Sequence, residues 1–371
     1  MSASASLSPP PSPAAAETGD RGRRWRTGLE AVVVPLAAVA VAAALFSAFL
    51  VVLGKSPATF FELLWRGGFG TAFSWQNTLI RTAPLIFTAL CVALPARLGL
   101  MIIGGEGALV IGGFAAAVVA LPMIDAVPAV VALPIMFVAA ALAGAVWIGF
   151  VGALRHGRAV NETIASLLMF YIAVAILNFF VEGPLRSPAD PNKPSTTPIG
   201  PELKVGTLPG IDVHWGLAFG VVLAIAAHVL MSRTTFGFAA RVTGGNVRAA
   251  RAQGLPVGRL MVATCALAGA AAGIAGFFEV TAVLGKANAS LIAGYGFTGI
   301  LVSFLARHNP LAIPPVAVLF GGLAAAGGLV QRRMGLPDAS VQVLQGLIFL
   351  SILVSETAYG RVPFLTAEKR R

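Results

Sequence analysis

Apolar stretches long enough to cross a bilayer recur along the whole of this 371-residue chain. About twenty apolar residues of helix span the hydrocarbon core. No water there satisfies backbone N–H and C=O groups, so such a run closes its hydrogen bonds internally as a helix. Only 11% of residues are charged, where a soluble domain carries roughly a quarter. The expected fold class is an all-α polytopic membrane protein with about ten transmembrane helices.

The runs lie at 31–53, 77–95, 100–121, 129–154, 162–181, 214–231, 260–284, 291–306, 310–330 and 341–356. Residues 1–28 are Ser, Ala and Pro rich, then basic at Arg21, Arg23, Arg24 and Arg26, and read as a disordered cytoplasmic tail. Residues 29–357 form the transmembrane domain, and 358–371 a second cytoplasmic tail. The segment 54–76, with Phe60, Phe61, Trp65 and Trp75, reads as interfacial. The proline-rich insert 182–213 is expected outside. The loop 232–259 carries five arginines and no acid, which places it in the cytoplasm. With ten spans, both termini are cytoplasmic. Gln331-Arg332-Arg333 is the discordant piece, since it falls on the outer side.

The net charge of +11 follows the span edges rather than forming a patch interleaved with aromatics, which argues against nucleic acid. Cys91 and Cys265 sit inside apolar runs and read as small buried hydrophobes. The four histidines show no metal-ligand spacing, so no metal site is expected. No P-loop, GxSxG, HExxH or CxxC occurs, and no carboxylate pair is placed for acid/base work. No catalytic residue and no cofactor of the chain's own is expected. Transport or a structural role remains.

One apolar run holds an acid. Glu106 stands between Gly105 and Gly107. A charge at membrane depth costs roughly 2.5–3.5 kcal/mol on insertion scales, so it needs a reason to persist. Either it shapes a helix break beside a pathway, or it accepts from a neighbouring helix terminus and holds a packed interface. Asn161 and Glu162 either face the inner mouth or cap the fifth span. Phe297 either lines a pathway or packs. In the basic loop, 247–253 reads as a short helix with Asn246 as N-cap and Gly254 as its stop. Arg248-Ala249-Ala250, then three residues, then Gly254, has the spacing of the EAAxxxG coupling segment of ATP-binding-cassette importer permeases. An ordinary basic loop resting on anionic lipid is the plainer reading.

Several segments together resemble one family. They are Arg81 to Ile86, Ile103 to Gly107, Asn161 to Ile164, Gly244 to Gly254, Gly296 to Ile300, Asn309 to Leu311 and Gln345 to Ile348. The chain resembles the branched-chain amino acid and simple sugar permeases, closest to the nucleoside-import and general simple-sugar branch. It departs where Ile102 or Ile103 replaces an asparagine, Ala108 a glutamine and Arg248 an acid.

The resemblance implies the permease fold of an ATP-binding-cassette importer in the bacterial inner membrane, carrying a small polar solute such as a nucleoside or simple sugar. It implies three protein partners: an ATPase subunit that binds ATP and Mg, a second permease subunit, and an extracytoplasmic binding lipoprotein. Membrane lipid is the fourth partner. Gly244, Gly245, Asn246, Arg248, Ala249, Ala250 and Gly254 would meet the ATPase. Gly105, Glu106, Gly107, Asn161, Glu162 and Phe297 would line the pathway. A branched-chain amino acid permease and an ion-coupled secondary transporter are the alternatives.

Overall fold

A computed structural model describes residues 37–188, 192–337 and 339–358, with side chains through 355. The expected tail at 1–28, the first six residues of the expected first span and residues 359–371 lie outside the described residues. Among the described residues the regular elements are helices, with two isolated β-bridges, Ser195 to Asn288 and Thr207 to His214.

The chain divides into two compact units, Met1–Pro57 with Gln342–Arg371, and Ala58–Val341. The first contains α1 (Ala37–Val52) and most of α13 (Ala339–Ala358). α1 buries Ala38, Ala42, Phe46 and Leu50, one stripe at four-residue spacing.

The second unit contains α2 (Pro57–Gly68), α3 (Ala72–Ala96), α4 (Gly105–Ala120), α5 (Ala129–Arg158) and α6 (Glu162–Glu182). It continues with α7 (Gly216–Arg233), α8 (Thr235–Gly245), α9 (Val247–Ala252), α10 (Val257–Phe278), α11 (Tyr295–Leu305) and α12 (Ile313–Met334). α3 is central. Every residue from Thr82 to Pro95 is buried, and the helix packs against α7, α10, α11 and α12. A helix apolar all round belongs in such a position.

Among the described residues, seven helices are long and apolar enough to cross a membrane: Ala72–Ala96, Gly105–Met123, Ala129–Arg158, Glu162–Glu182, Gly216–Arg233, Val257–Leu284 and Ile313–Met334. The ten runs of the sequence therefore come out unequally. The run at 291–306 gives the 11-residue α11, preceded by a 3-10 turn (Ala289–Leu291). The run at 341–356 gives a shorter apolar helix, Ala339–Ser355.

Several expected boundaries move. The second span starts at Ala72 rather than 77, because Thr71 Oγ1 accepts from Ser74 N at 3.0 Å and caps it. Trp75 thus belongs to that helix. Phe60 of the expected interfacial segment is fully buried, while Trp65 is exposed. The third span begins at Gly105 and not at 100. Gln331-Arg332-Arg333 lies in the last turn of α12, which runs on past the expected end at 330.

α10 packs along α5 and α4 at backbone contact. A Cβ at Gly273 would collide with the Ala140 carbonyl of α5, and one at Gly112 of α4 would collide with Gly273. Small residues permit this approach where helices gain no hydrophobic drive from lipid. Gly273→Leu therefore overpacks the seam, at a cost of about 1–3 kcal/mol or more. A lower melting temperature and loss of a monodisperse species in detergent are expected. Gly149→Ala is the contrast, since its Cβ would meet Ala266 at an ordinary 3.4 Å, and should melt like the parent.

Candidate functional site

Two helix starts of the second unit meet in buried surroundings. At the start of α4, Gly105 and Glu106 are buried; at the start of α11, Gly296 is. A helix N-terminus exposes N–H groups without intrahelical partners, and in apolar surroundings they need an acceptor. Glu106 supplies it for α11. Its Oε1 accepts from Gly294 N at 2.6 Å, and its Oε2 from Gly296 N. Both oxygens serve as acceptors, the inventory of a carboxylate. Glu106 also stands in the first turn of α4, so one acid faces the positive ends of two helices.

Glycine is required on the α11 side for two reasons. Gly294 has φ +80°, in the left-handed region. A Cβ on Gly296 would collide with the Glu106 backbone. Of the two readings of Glu106, the structure displays the acceptor at a neighbouring helix terminus. Of the other expected pathway residues, Gly107 and Phe297 lie nearby. Gly107 lies against the Phe170 backbone of α6, and Phe170 meets Phe297 edge-on, with ring centroids 5.2 Å apart. Phe297 is 39% exposed.

Asn161 and Glu162 sit at the start of α6. Asn161 Oδ1 accepts from Thr163 N at 2.9 Å and Ile164 N at 3.1 Å, a capping role that occupies the side chain. Glu162 pairs with Arg155 at the end of α5, Nε to Oε2 3.2 Å. The non-helical segment leading to Gly104 is pinned to the same turn. Thr163 Oγ1 donates to the Met101 carbonyl at 3.0 Å, and Ile103 N donates to Ser166 Oγ at 3.1 Å.

The basic loop folds as a corner. The Asn246 backbone N–H closes α8 on Val242 O at 3.1 Å. Its side chain opens α9, accepting from Arg248 N at 2.9 Å and Ala249 N at 3.1 Å. The short helix expected at 247–253 is present over Val247–Ala252, and Gly254 follows with φ +75°. Its residues are not equivalent. Arg248, Ala249 and Arg251 are exposed, but Ala250 is fully buried within this chain. Gly245 is in open space, whereas a Cβ on Gly244 would collide with the Arg97 carbonyl.

Arg97 follows the expected second span by two residues and joins two distant elements. Its Nη2 donates to the His308 carbonyl at 2.9 Å, just beyond α11, while its own carbonyl touches Gly244. Burial, and then Arg97, push the pKa of His308 below the ordinary histidine value. The proline-rich insert is also tied down. Thr196 N donates to Ala287 O and Ile199 N to Gly285 O, each at 2.9 Å. Among the described residues, no group of three or more His, Cys, Asp or Glu is placed to hold a metal.

Residues 74–353 match the family described as branched-chain amino acid transport system / permease component. The chain belongs to this family. It is 32% identical to the glucose ABC transporter permease protein of Haloferax volcanii, over 87% of each chain. It is 31% identical to the guanosine ABC transporter permease protein of Bacillus subtilis, over 88% of this chain and 94% of that one. A nucleoside ABC transporter permease protein of Lactococcus lactis is 28% identical over 87% of this chain and 91% of its own. The apolar helices and the family membership make this a multi-pass membrane permease.

Two outcomes follow. Glu106→Gln leaves one N–H of α11 facing an amide NH2, and Glu106→Ala leaves both without an acceptor. Each buried donor left bare costs about 1–3 kcal/mol, so thermal unfolding in detergent should fall in the order parent, Gln, Ala. On the loop, Ala249→Glu should leave the melting temperature unchanged, because Ala249 is exposed. Ala250→Glu should lower the melting temperature itself, because a charge enters a buried position.

Proposed function

We propose that this chain is the permease subunit of an ATP-binding-cassette importer that moves a nucleoside or a simple sugar across the cytoplasmic membrane of a bacterium. The observation that carries the reading is likeness, at about 30% identity and over nearly the whole chain, to permeases named for guanosine and glucose. Those solutes share a polyhydroxylated sugar. The glucose relative favours a simple sugar as the second reading, after a nucleoside.

The mechanism is alternating access. A binding lipoprotein delivers solute to the outer loops, among them 182–213. A partner ATPase, which holds the ATP and Mg, contacts the exposed face of α9 through Arg248 and Ala249. The Asn246 corner passes its movement to α8, and Gly244 passes it to Arg97. A second permease subunit closes the other side of the cavity. Glu106 keeps two helix starts together beside that cavity, and the exposed Phe297 ring borders it. Both termini lie in the cytoplasm, and the basic loop rests among anionic headgroups.

Uptake of radiolabelled guanosine, glucose and leucine by cells carrying the chain with its partner subunits tests this. Guanosine or glucose should accumulate, and a P-loop lysine substitution in the ATPase subunit should abolish it. Accumulation of leucine alone would move the assignment to an amino acid permease. Uptake that follows the proton gradient without the ATPase would replace it with a secondary transporter.

A further inference from the structure

A second intramembrane acid has no part in the Glu106 clamp. Glu279 opens the π-helical turn Glu279–Leu284 that ends α10, and it is 5% exposed. Turns of this kind recur at functional sites. A carboxylate inside a span costs roughly 2.5–3.5 kcal/mol on insertion scales and calls for a named partner. The charged groups within electrostatic reach of it are the Arg81 guanidinium on α3, of opposite sign, and Glu106, of like sign. Tyr295, the first residue of α11, lies within electrostatic reach of Arg81, Glu279 and Glu106.

Fixed contacts hold the elements that carry the four residues against one another. Phe278, next to Glu279, stacks on Phe87 of α3 with centroids 5.7 Å apart. The Tyr295 carbonyl accepts from Thr88 Oγ1 at 3.0 Å. Thr88 follows Arg81 by seven residues, two turns along the same face of α3. Glu106 binds the N–H groups on either side of Tyr295.

Arg81 decides what the cluster does. It is the tenth residue of α3, about 14 Å along the helix at 1.5 Å per residue, so it lies within the hydrocarbon thickness. Every residue from Thr82 to Pro95 is buried, yet Arg81 is exposed and Tyr295 half-buried. A guanidinium facing lipid at that depth bears the full desolvation cost, whereas one facing a water-filled path does not.

We propose that Arg81, Glu279 and Tyr295 form the intramembrane station that solute contacts in transit, and that it takes a neutral polyhydroxylated solute. A vicinal diol donates to the Glu279 carboxylate and accepts from the Arg81 guanidinium without adding charge. Tyr295 offers a hydroxyl and a ring face. The site rests on the importer reading above and adds where in this chain the solute is gripped.

The test measures uptake of radiolabelled guanosine and glucose by the assembled importer. The variants are Glu279→Gln, Arg81→Gln, Tyr295→Phe and the charge-swapped double variant Arg81→Glu/Glu279→Arg. Complex is normalised by pull-down of the ATPase and second permease subunits. Glu279→Gln and Arg81→Gln should each lower the maximal rate about ten-fold or more, with the half-saturating concentration, set by the binding protein, little changed. Tyr295→Phe should have a smaller effect. The swap should leave assembly intact but not restore uptake, because both charges are kept while the solute's donors and acceptors are exchanged. Parent-like rates in the single variants would overturn the site. So would uptake restored by the swap, which marks a structural ion pair, or dissociation of the second permease, which marks an intersubunit contact. Uptake by the parent complex judges the importer reading separately, and the variant-to-parent ratio judges the site.

Discussion

A single carboxylate lets two helices begin inside an apolar bundle. Glu106 accepts from Gly294 N and Gly296 N at the start of α11 while standing in the first turn of α4. In hydrocarbon, unpaired N–H groups cost more than in water, so a broken helix persists only where protein supplies the missing acceptors. The surrounding geometry follows from that need. Gly296 lets α11 approach the Glu106 backbone. The stretch before Gly104 gives its own polar groups to Thr163 and Ser166. Thr88 takes up the Tyr295 carbonyl. Each device satisfies backbone that a continuous span would have satisfied alone.

The same short helix joins the membrane interior to the basic loop. α11 runs from the Glu106 clamp to the turn at Arg307 and His308, where both residues adopt positive φ. Arg97 binds that turn through the His308 carbonyl, and its own carbonyl lies under Gly244. Gly244 is two residues from Asn246, which ends α8 and starts α9. The contacts are continuous from the exposed α9 to the two helix starts. Continuity of this kind is what a permease needs if movement at its cytoplasmic face is to reach a solute path.

Much of this was legible in the residues. Membrane architecture followed from long apolar runs, and the α9 corner from Asn246, two alanines and Gly254, because capping and left-handed stops are local effects. Glu106 announced itself as a charge with no local partner. What stayed hidden was everything that depends on which helix faces which. Ala250 resembles Ala249 in sequence, yet only Ala250 is buried. Nothing beside Arg97 in the chain announces that α8 and the His308 turn lie on either side of it. The run at 291–306 matched the others in hydropathy but yields an 11-residue helix, because the preceding residues descend without regular helix to the clamp.

By itself the sequence determined the membrane class, the positions of the seven helices long and apolar enough to cross a membrane, the cap of α9 and the likeness to sugar and nucleoside permeases. These rest on hydropathy, spacing and residues a few positions apart. The tertiary structure decided what Glu106 holds, which alanine is free on α9, and that Arg81, Glu279 and Tyr295 come within electrostatic reach of one another. Those residues lie as much as 214 positions apart, and only the packing of α3, α4, α10 and α11 turns scattered charges into neighbours.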